Sequence, residues 1–283
     1  MVFLDLLSIC FLQCEVLLMN INKYELLRPD QLRAAQKECN VAYLPIGPLE
    51  WHGPHLPFGV DAMNATAVAQ RTAAITGGVV FPTLYCGTER ARSPLYVKRM
   101  GFEDENQYVV GMDVPNNSVP SCYFSEEVYG IILREHIRII MTLGFDVIVI
   151  VNGHGADGQL ETGRRLAREF TNTTDKTVLF CFGFGSPESK EHMGGHANIS
   201  ETSIIMYLHP DTVDLEALPP KEVPLKTSEW GIADSLLFAG KGNEEHTVQF
   251  HPRDASAELG QAYVDTAVEN LVKIVNDALA NRK

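Results

Sequence analysis

Residues 147–151 read Val-Ile-Val-Ile-Val, an unbroken β-branched run introduced by Phe145-Asp146 and closed by Asn152-Gly153-His154-Gly155-Ala156-Asp157. A strand apolar on both faces has no side to show to water. It must lie inside a sheet covered by helices above and below, which is the habit of parallel sheets. Val41-Ala42-Tyr43-Leu44-Pro45-Ile46-Gly47 reads as a second buried strand, and Val79-Val80-Phe81 and Thr177–Phe182 as further ones. Helical stretches alternate with them. One covers Ala62–Ala74 and ends at Gly77-Gly78; another is capped by Ser125, carries Glu126 and Glu127 in its first turn, and stops at Gly144. Its apolar residues are Val128, Ile131, Ile132, Ile139 and Ile140. A third helix runs to about Phe170, and an amphipathic one spans Glu258–Leu279. This rhythm predicts an α/β fold, a three-layer α/β/α sandwich with a mostly parallel central sheet.

With no repeat, low-complexity tract or linker, residues 19–283 read as a single domain. Residues 86–124 show no clear period, and Gly87-Thr88-Glu89-Arg90-Ala91-Arg92-Ser93-Pro94 reads as a functional loop or lid. Residues 1–18 are apolar but interrupted by Asp5 and Glu15, with no basic residue ahead of them, so they match neither a secretory signal nor a spanning helix. They are expected to be an N-terminal extension ahead of a natural start at Met19, the rival reading being a peripheral helix at a subunit contact. The six scattered cysteines suit a reducing, cytoplasmic location, and the net charge of −13 argues against nucleic acid as a partner. No membrane partner is expected.

Chemistry concentrates where the two central strands end. Glu50-Trp51-His52-Gly53-Pro54-His55, followed by Asp61, places two carboxylates and two imidazoles just after the first strand. In extended backbone, residues i and i+2 point to the same side about 7 Å apart. Glu50 and His52 can therefore grip two different metal ions lying about 3.5–4 Å apart, with Asp61 bridging both. His55 is the alternative ligand if the loop turns differently. Ligands of such sheets bind beyond the carboxyl ends of the strands, which brings His154, flanked by glycines, to the same place. A third cluster, Gly195-His196-Ala197-Asn198-Ile199-Ser200-Glu201-Thr202-Ser203, reads on spacing alone as a helix start with Ser200 as N-cap. Its functional reading adds Glu201 as a ligand and His196 as a free imidazole able to shuttle a proton. Arg90, Arg92 and Lys98 either orient a polar or anionic substrate or form a solvated face. No GxSxG elbow follows a strand, which disfavours a serine hydrolase.

Taken together, Gly47-x-x-Glu50-x-His52-Gly53-x-His55-Leu56-Pro57-x-x-x-Asp61, then Asn152-Gly153-His154-Gly155, then His196-Ala197-x-x-x-Glu201-Thr202-Ser203 resemble the creatininase (creatinine amidohydrolase) family. Three spaced blocks in family order are far more specific than one short motif. The resemblance implies a metal-dependent hydrolase, commonly hexameric, with two divalent ions per chain, zinc, manganese or iron. By position it implies Glu50 and His154 on one ion, His52 and Glu201 on the other, Asp61 bridging, and His196 as proton donor. Departures from the family pattern at Trp51, Ala156-Asp157 and Ile199 fall on the substrate side. Trp51, His55, Asp157 and Arg90 are the candidate substrate-binding residues. The implied substrate is a small polar cyclic compound opened at C–N. The alternatives are C–C opening of a keto-inositol, deformylation of a formamide, or a metal-containing sugar-binding scaffold without catalysis.

Overall fold

The computed structural model describes residues 22–100, 102–114, 117, 119–185, 195–220, 225 and 251–282. The expected extension at 1–18 and the start at Met19 lie outside them. Along the chain run β1 (Asn22–Lys23), α1 (Pro29–Glu38), β2 (Val41–Gly47), α2 (Val60–Thr76), β3 (Val79–Val80), β4 (Leu84–Tyr85), α3 (Pro94–Arg99) and α4 (Glu126–Thr142). They are followed by β5 (Val147–Asn152), α5 (Asp157–Thr173), β6 (Thr177–Phe182), α6 (Ile199–Leu208) and α7 (Ala257–Ala280).

The strands form one sheet in the order β1-β3-β2-β5-β6, with β4 also on β2, and each of these pairings is parallel. Proline inside a central strand removes a ladder donor, and β2 contains Pro45. The sheet accommodates it at a gap. Phe81 N–H donates to the Tyr43 carbonyl, so the backbone groups of Tyr43, and of Pro45 two residues on, face the β3/β4 edge. That edge is interrupted between Val80 and Leu84, beside the missing N–H.

Alternation along β2 and β5 divides the core into two layers. Val41, Tyr43, Val147, Val149 and Val151 pack against α2, α6 and α7, whereas Ala42, Leu44, Ile46, Ile148 and Ile150 pack against α1, α4 and α5. The fold is the expected three-layer α/β/α sandwich. Each fully buried Val or Ile contributes roughly 1.5–3 kcal/mol, so these two strands anchor both layers.

Two local expectations change. The buried stripe of α4 is Tyr129, Leu133, Ile137 and Ile140, and Val128, Ile131 and Ile139 are exposed. This helix is apolar around most of its circumference, so composition alone does not say which stripe meets the sheet. Helix α6 is capped by Asn198, whose side chain accepts from Ser200 N–H, so Ser200 lies inside the helix instead of capping it. Among its described residues the 86–124 segment is irregular as expected apart from the short helix α3, but it is not loose. Val97, Met100, Phe102, Val109, Met112 and Val114 close around Trp51 to form a small separate core. No helix among the described residues is long and apolar enough to cross a membrane.

Candidate metal centre

The site assembles at the carboxyl ends of β2 and β5, where Gly47 and Asn152 hand over to loops. Leu49 bridges to Cys122 of the 86–124 wall, and Glu50 N–H donates to the Phe58 carbonyl at 3.0 Å, which folds the 50–58 loop back on itself. Helix α2 then starts with Asp61 in its first turn. A Cβ at Gly153 would stand 1.9 Å from the Asp61 carbonyl oxygen. Only glycine allows the end of β5 to press against the start of α2, and that contact brings His154 to Asp61. Asn152 fixes the turn: its side chain donates to the His154 carbonyl at 2.6 Å and accepts from Gln159 at 2.6 Å. Glu201 comes from the first turn of α6, where its Oε2 accepts from Ala197 N–H at 2.5 Å. Ala197 holds a φ of 53°, a left-handed conformation that L residues adopt at some cost.

Three carboxylates and three imidazoles, all buried, converge. His52 Nε2 lies 3.5 Å from Glu201 Oε2, 3.6 Å from Asp61 Oδ1 and 3.9 Å from Glu50 Oε2. His154 Nδ1 lies 3.0 Å from Asp61 Oδ2 and 3.2 Å from Glu50 Oε2. Two triads with metal-ligand spacing share Asp61, namely Glu50-Asp61-His154 and His52-Asp61-Glu201; a third joins Glu50, His52 and His196.

Electrostatics show what the cluster demands. Burial opposes charge on His52, yet Glu201, Asp61 and Glu50 outweigh it and push the imidazole up to about 10. Against the same burial, Glu50 and Asp61 hold His154 well above the usual imidazole range. Burial also works against Glu50, but His154 and His196 keep its carboxyl well below the usual range. Burial pushes Glu201 up to about 7 against the pull of His52. Burial and the His52 charge push His196 down to about 3. Packed carboxylates of this kind call for positive charge, which protons or cations supply. The donor set fits cations. His52 Nδ1–H donates to the Glu50 carbonyl at 3.0 Å, which leaves Nε2 facing the carboxylates. His52 Nε2 and Asp61 Oδ2, both facing the cluster, are buried without a hydrogen-bond partner. Buried polar atoms are ordinarily paired, so these orphans are explained by ligands.

The cluster borders a cavity of about 450 Å³ that Phe182, Phe184, Glu89, Arg92 and Met112 also line. Of the candidate residues, Glu50, Asp61, His154, Glu201, His196 and Asp157 line it. His52 lies behind them. His196 Nε2–H donates to the Trp51 carbonyl at 2.6 Å, its ring lies 4.3 Å from that of His52, and its Nδ1 faces Glu50 Oε2 at 3.8 Å. Three candidates fall elsewhere. Trp51 is buried in the wall core, and His55 Nε2 bonds Thr202 Oγ1 at 3.0 Å. Arg90 is on the surface, paired with Glu126 and Glu161 at 2.8 and 2.7 Å, while its neighbour Arg92 lines the cavity. Sequence reasoning missed Tyr123, whose hydroxyl donates to Glu50 Oε1. Nothing in the aperiodic 86–124 stretch singles that residue out.

A family model for creatinine amidohydrolases, Creatininase, matches residues 25–97 and 108–275. The chain is 27% identical over 217 residues to creatinine amidohydrolase of Pseudomonas putida, covering 69% of this chain and 75% of that protein. It is 28% identical over 171 residues to a mycofactocin precursor peptide peptidase of Mycobacterium ulcerans, covering 60% of this chain and 59% of that protein. A crystal structure of creatininase superposes with a TM-score of 0.63 over 92% of this chain and 98% of that one; at 21% identity this likeness speaks for the fold.

Proposed function

This chain belongs to the creatininase family, and from that premise we propose that it is a hydrolase with two divalent ions per chain. In this reading the ions are zinc, manganese or iron, and the reaction opens a small polar cyclic amide by cleavage of its C–N bond. The observation that carries the reading is the pair of triads sharing Asp61, in which His52 Nε2 and Asp61 Oδ2 are buried without a hydrogen-bond partner. Glu50 and His154 would hold one ion, His52 and Glu201 the other, with one oxygen of Asp61 for each. Ions held there supply Lewis acidity and lower the pKa of a nearby water from 15.7 toward about 7.

The chain's own groups do the rest. His196 is locked by its Nε2–H on the Trp51 carbonyl, so Nδ1 carries the free lone pair and faces the cluster. That nitrogen is placed to take the proton released by the attacking water and pass it to the leaving nitrogen, and the low proton affinity that burial gives it favours the onward transfer. Asp157, in the first turn of α5, offers a second acceptor at the cavity edge. A volume of about 450 Å³ lies in the range used by small-molecule sites and suits a compact ring.

The test combines elemental analysis with a panel of cyclic amides, formamides and cyclic keto-polyols. Turnover of a cyclic amide that tracks metal content supports the proposal. Metal-replete protein inert towards the cyclic amides overturns the ring-opening assignment; turnover of a formamide in its place would keep C–N cleavage on an open-chain substrate, and turnover of a keto-polyol would redirect it to C–C cleavage.

A further inference from the structure

The Tyr123 hydroxyl donates to Oε1 of Glu50, whereas Oε2 of the same carboxylate faces the three imidazoles, at 3.2 Å from His154, 3.8 Å from His196 and 3.9 Å from His52. The two oxygens of Glu50 thus have different occupations. We propose that Tyr123 is a positioning residue that ties up Oε1 and presents Oε2 alone to the ion shared with Asp61 and His154. The inference rests on the two-ion reading and extends it to a residue outside the ligand set.

The seat of this hydroxyl is built, not incidental. Met112 N–H points at it from 3.4 Å, and Ser121, two residues before Tyr123, is fixed by Asp113 through bonds of 2.7 and 2.8 Å. Gly111, at φ +56°, makes room: a Cβ there would stand 2.6 Å from the tyrosine oxygen and 2.4 Å from Glu89 Cγ. The phenol ring lies 6.2 Å from the His154 ring, so Tyr123 borders both Glu50 and His154, the two residues that share one triad with Asp61. A phenol suits the task because it donates without bringing a charge that competes with the ion. An arginine in its place would neutralise the carboxylate.

Groups that orient a metal ligand through hydrogen bonds typically change metal affinity by about 10–100-fold when removed. Titrating the metal-free full chain with Zn²⁺ in competition with a chromophoric chelator should resolve two binding steps. Tyr123→Phe should weaken one step by about 10–100-fold and leave the other unchanged, with the melting temperature of the metal-free protein preserved. In a Glu50→Gln background, adding Tyr123→Phe should change neither step, because the bond it removes no longer acts on a ligand carboxylate. This cycle keeps the test valid if the single variant loses some stability. Two ions bound by the wild type with unaltered or tighter affinities in Tyr123→Phe overturn the inference, as does an equal loss in both backgrounds. A wild type that binds fewer than two ions overturns the two-ion reading itself, and this inference with it.

Discussion

Asp61 turns one oxygen to each side of the cluster, Oδ1 towards His52 and Oδ2 towards His154. Asp61→Ala should therefore abolish binding of both ions, whereas Glu50→Ala should mainly weaken one. Full metal content in the Asp61 variant would defeat the shared-ligand assignment. His196 invites a separate test, since it is exchangeable between two roles by geometry: proton carrier, or third member of the triad with Glu50 and His52. His196→Asn should keep both ions and the fold while lowering kcat by about 10²–10⁴-fold; loss of an ion would make it a ligand instead. At this scale Glu50, His52, Asp61 and His154 were legible because they converge where strand ends and glycine turns point. His196 and Glu201 read on spacing as a helix start and are singled out by the family resemblance alone. The wall residues were legible in neither way. Trp51 stands between Glu50 and His52 in the chain, yet its side chain turns into a hydrophobic cluster made by residues 97–114. Arg90 and Arg92 are two positions apart, and only tertiary pairing with Glu126 and Glu161 decides which of them faces outward.

Among elements, the contact between the end of β5 and the first turn of α2 decides whether the two halves of the centre meet. Gly153→Ala puts a methyl 1.9 Å from the Asp61 carbonyl oxygen, so one element must move. The expected result is a loss of about 1–3 kcal/mol, typical of overpacking, together with reduced metal content. Retention of both stability and metal would show that the contact yields freely. Ile150→Ala, deep in β5 and fully buried, should cost about 2–5 kcal/mol and leave metal stoichiometry intact while the protein remains folded. Denaturant unfolding with metal analysis separates these two variants. β2 and β5 were legible because both of their faces are apolar. β1 and β4 have two residues each, too few to show a period. α1 is mostly polar and buries only Leu32 and Ala35, so its apolar stripe is short despite the Pro29 start.

In the whole molecule, the centre ties the ends of β2 and β5 to α2 and α6, and its occupancy should register in global stability. At free ion about 100 times its Kd, one site adds about 2.7 kcal/mol, or roughly 5–11 °C in Tm for a chain of this size. Removing metal with a chelator should lower Tm by at least that much, read by calorimetry; an unchanged Tm would mean that no ion binds the native state. The three-layer architecture was legible from the alternation of elements, whereas the small separate core of residues 97–114 was not, because it has no periodic segment of its own. The register of the two central strands has a consequence of another kind. Val41 pairs with Val147, so β2 leaves the ribosome 106 residues before its partner exists. At a synthesis rate of about 5–20 residues per second, β2 waits roughly 5–20 s with one edge open. For that interval the nascent chain carries an apolar strand of the kind that recruits wrong partners, and it depends on delayed collapse or on a holding chaperone to reach its own.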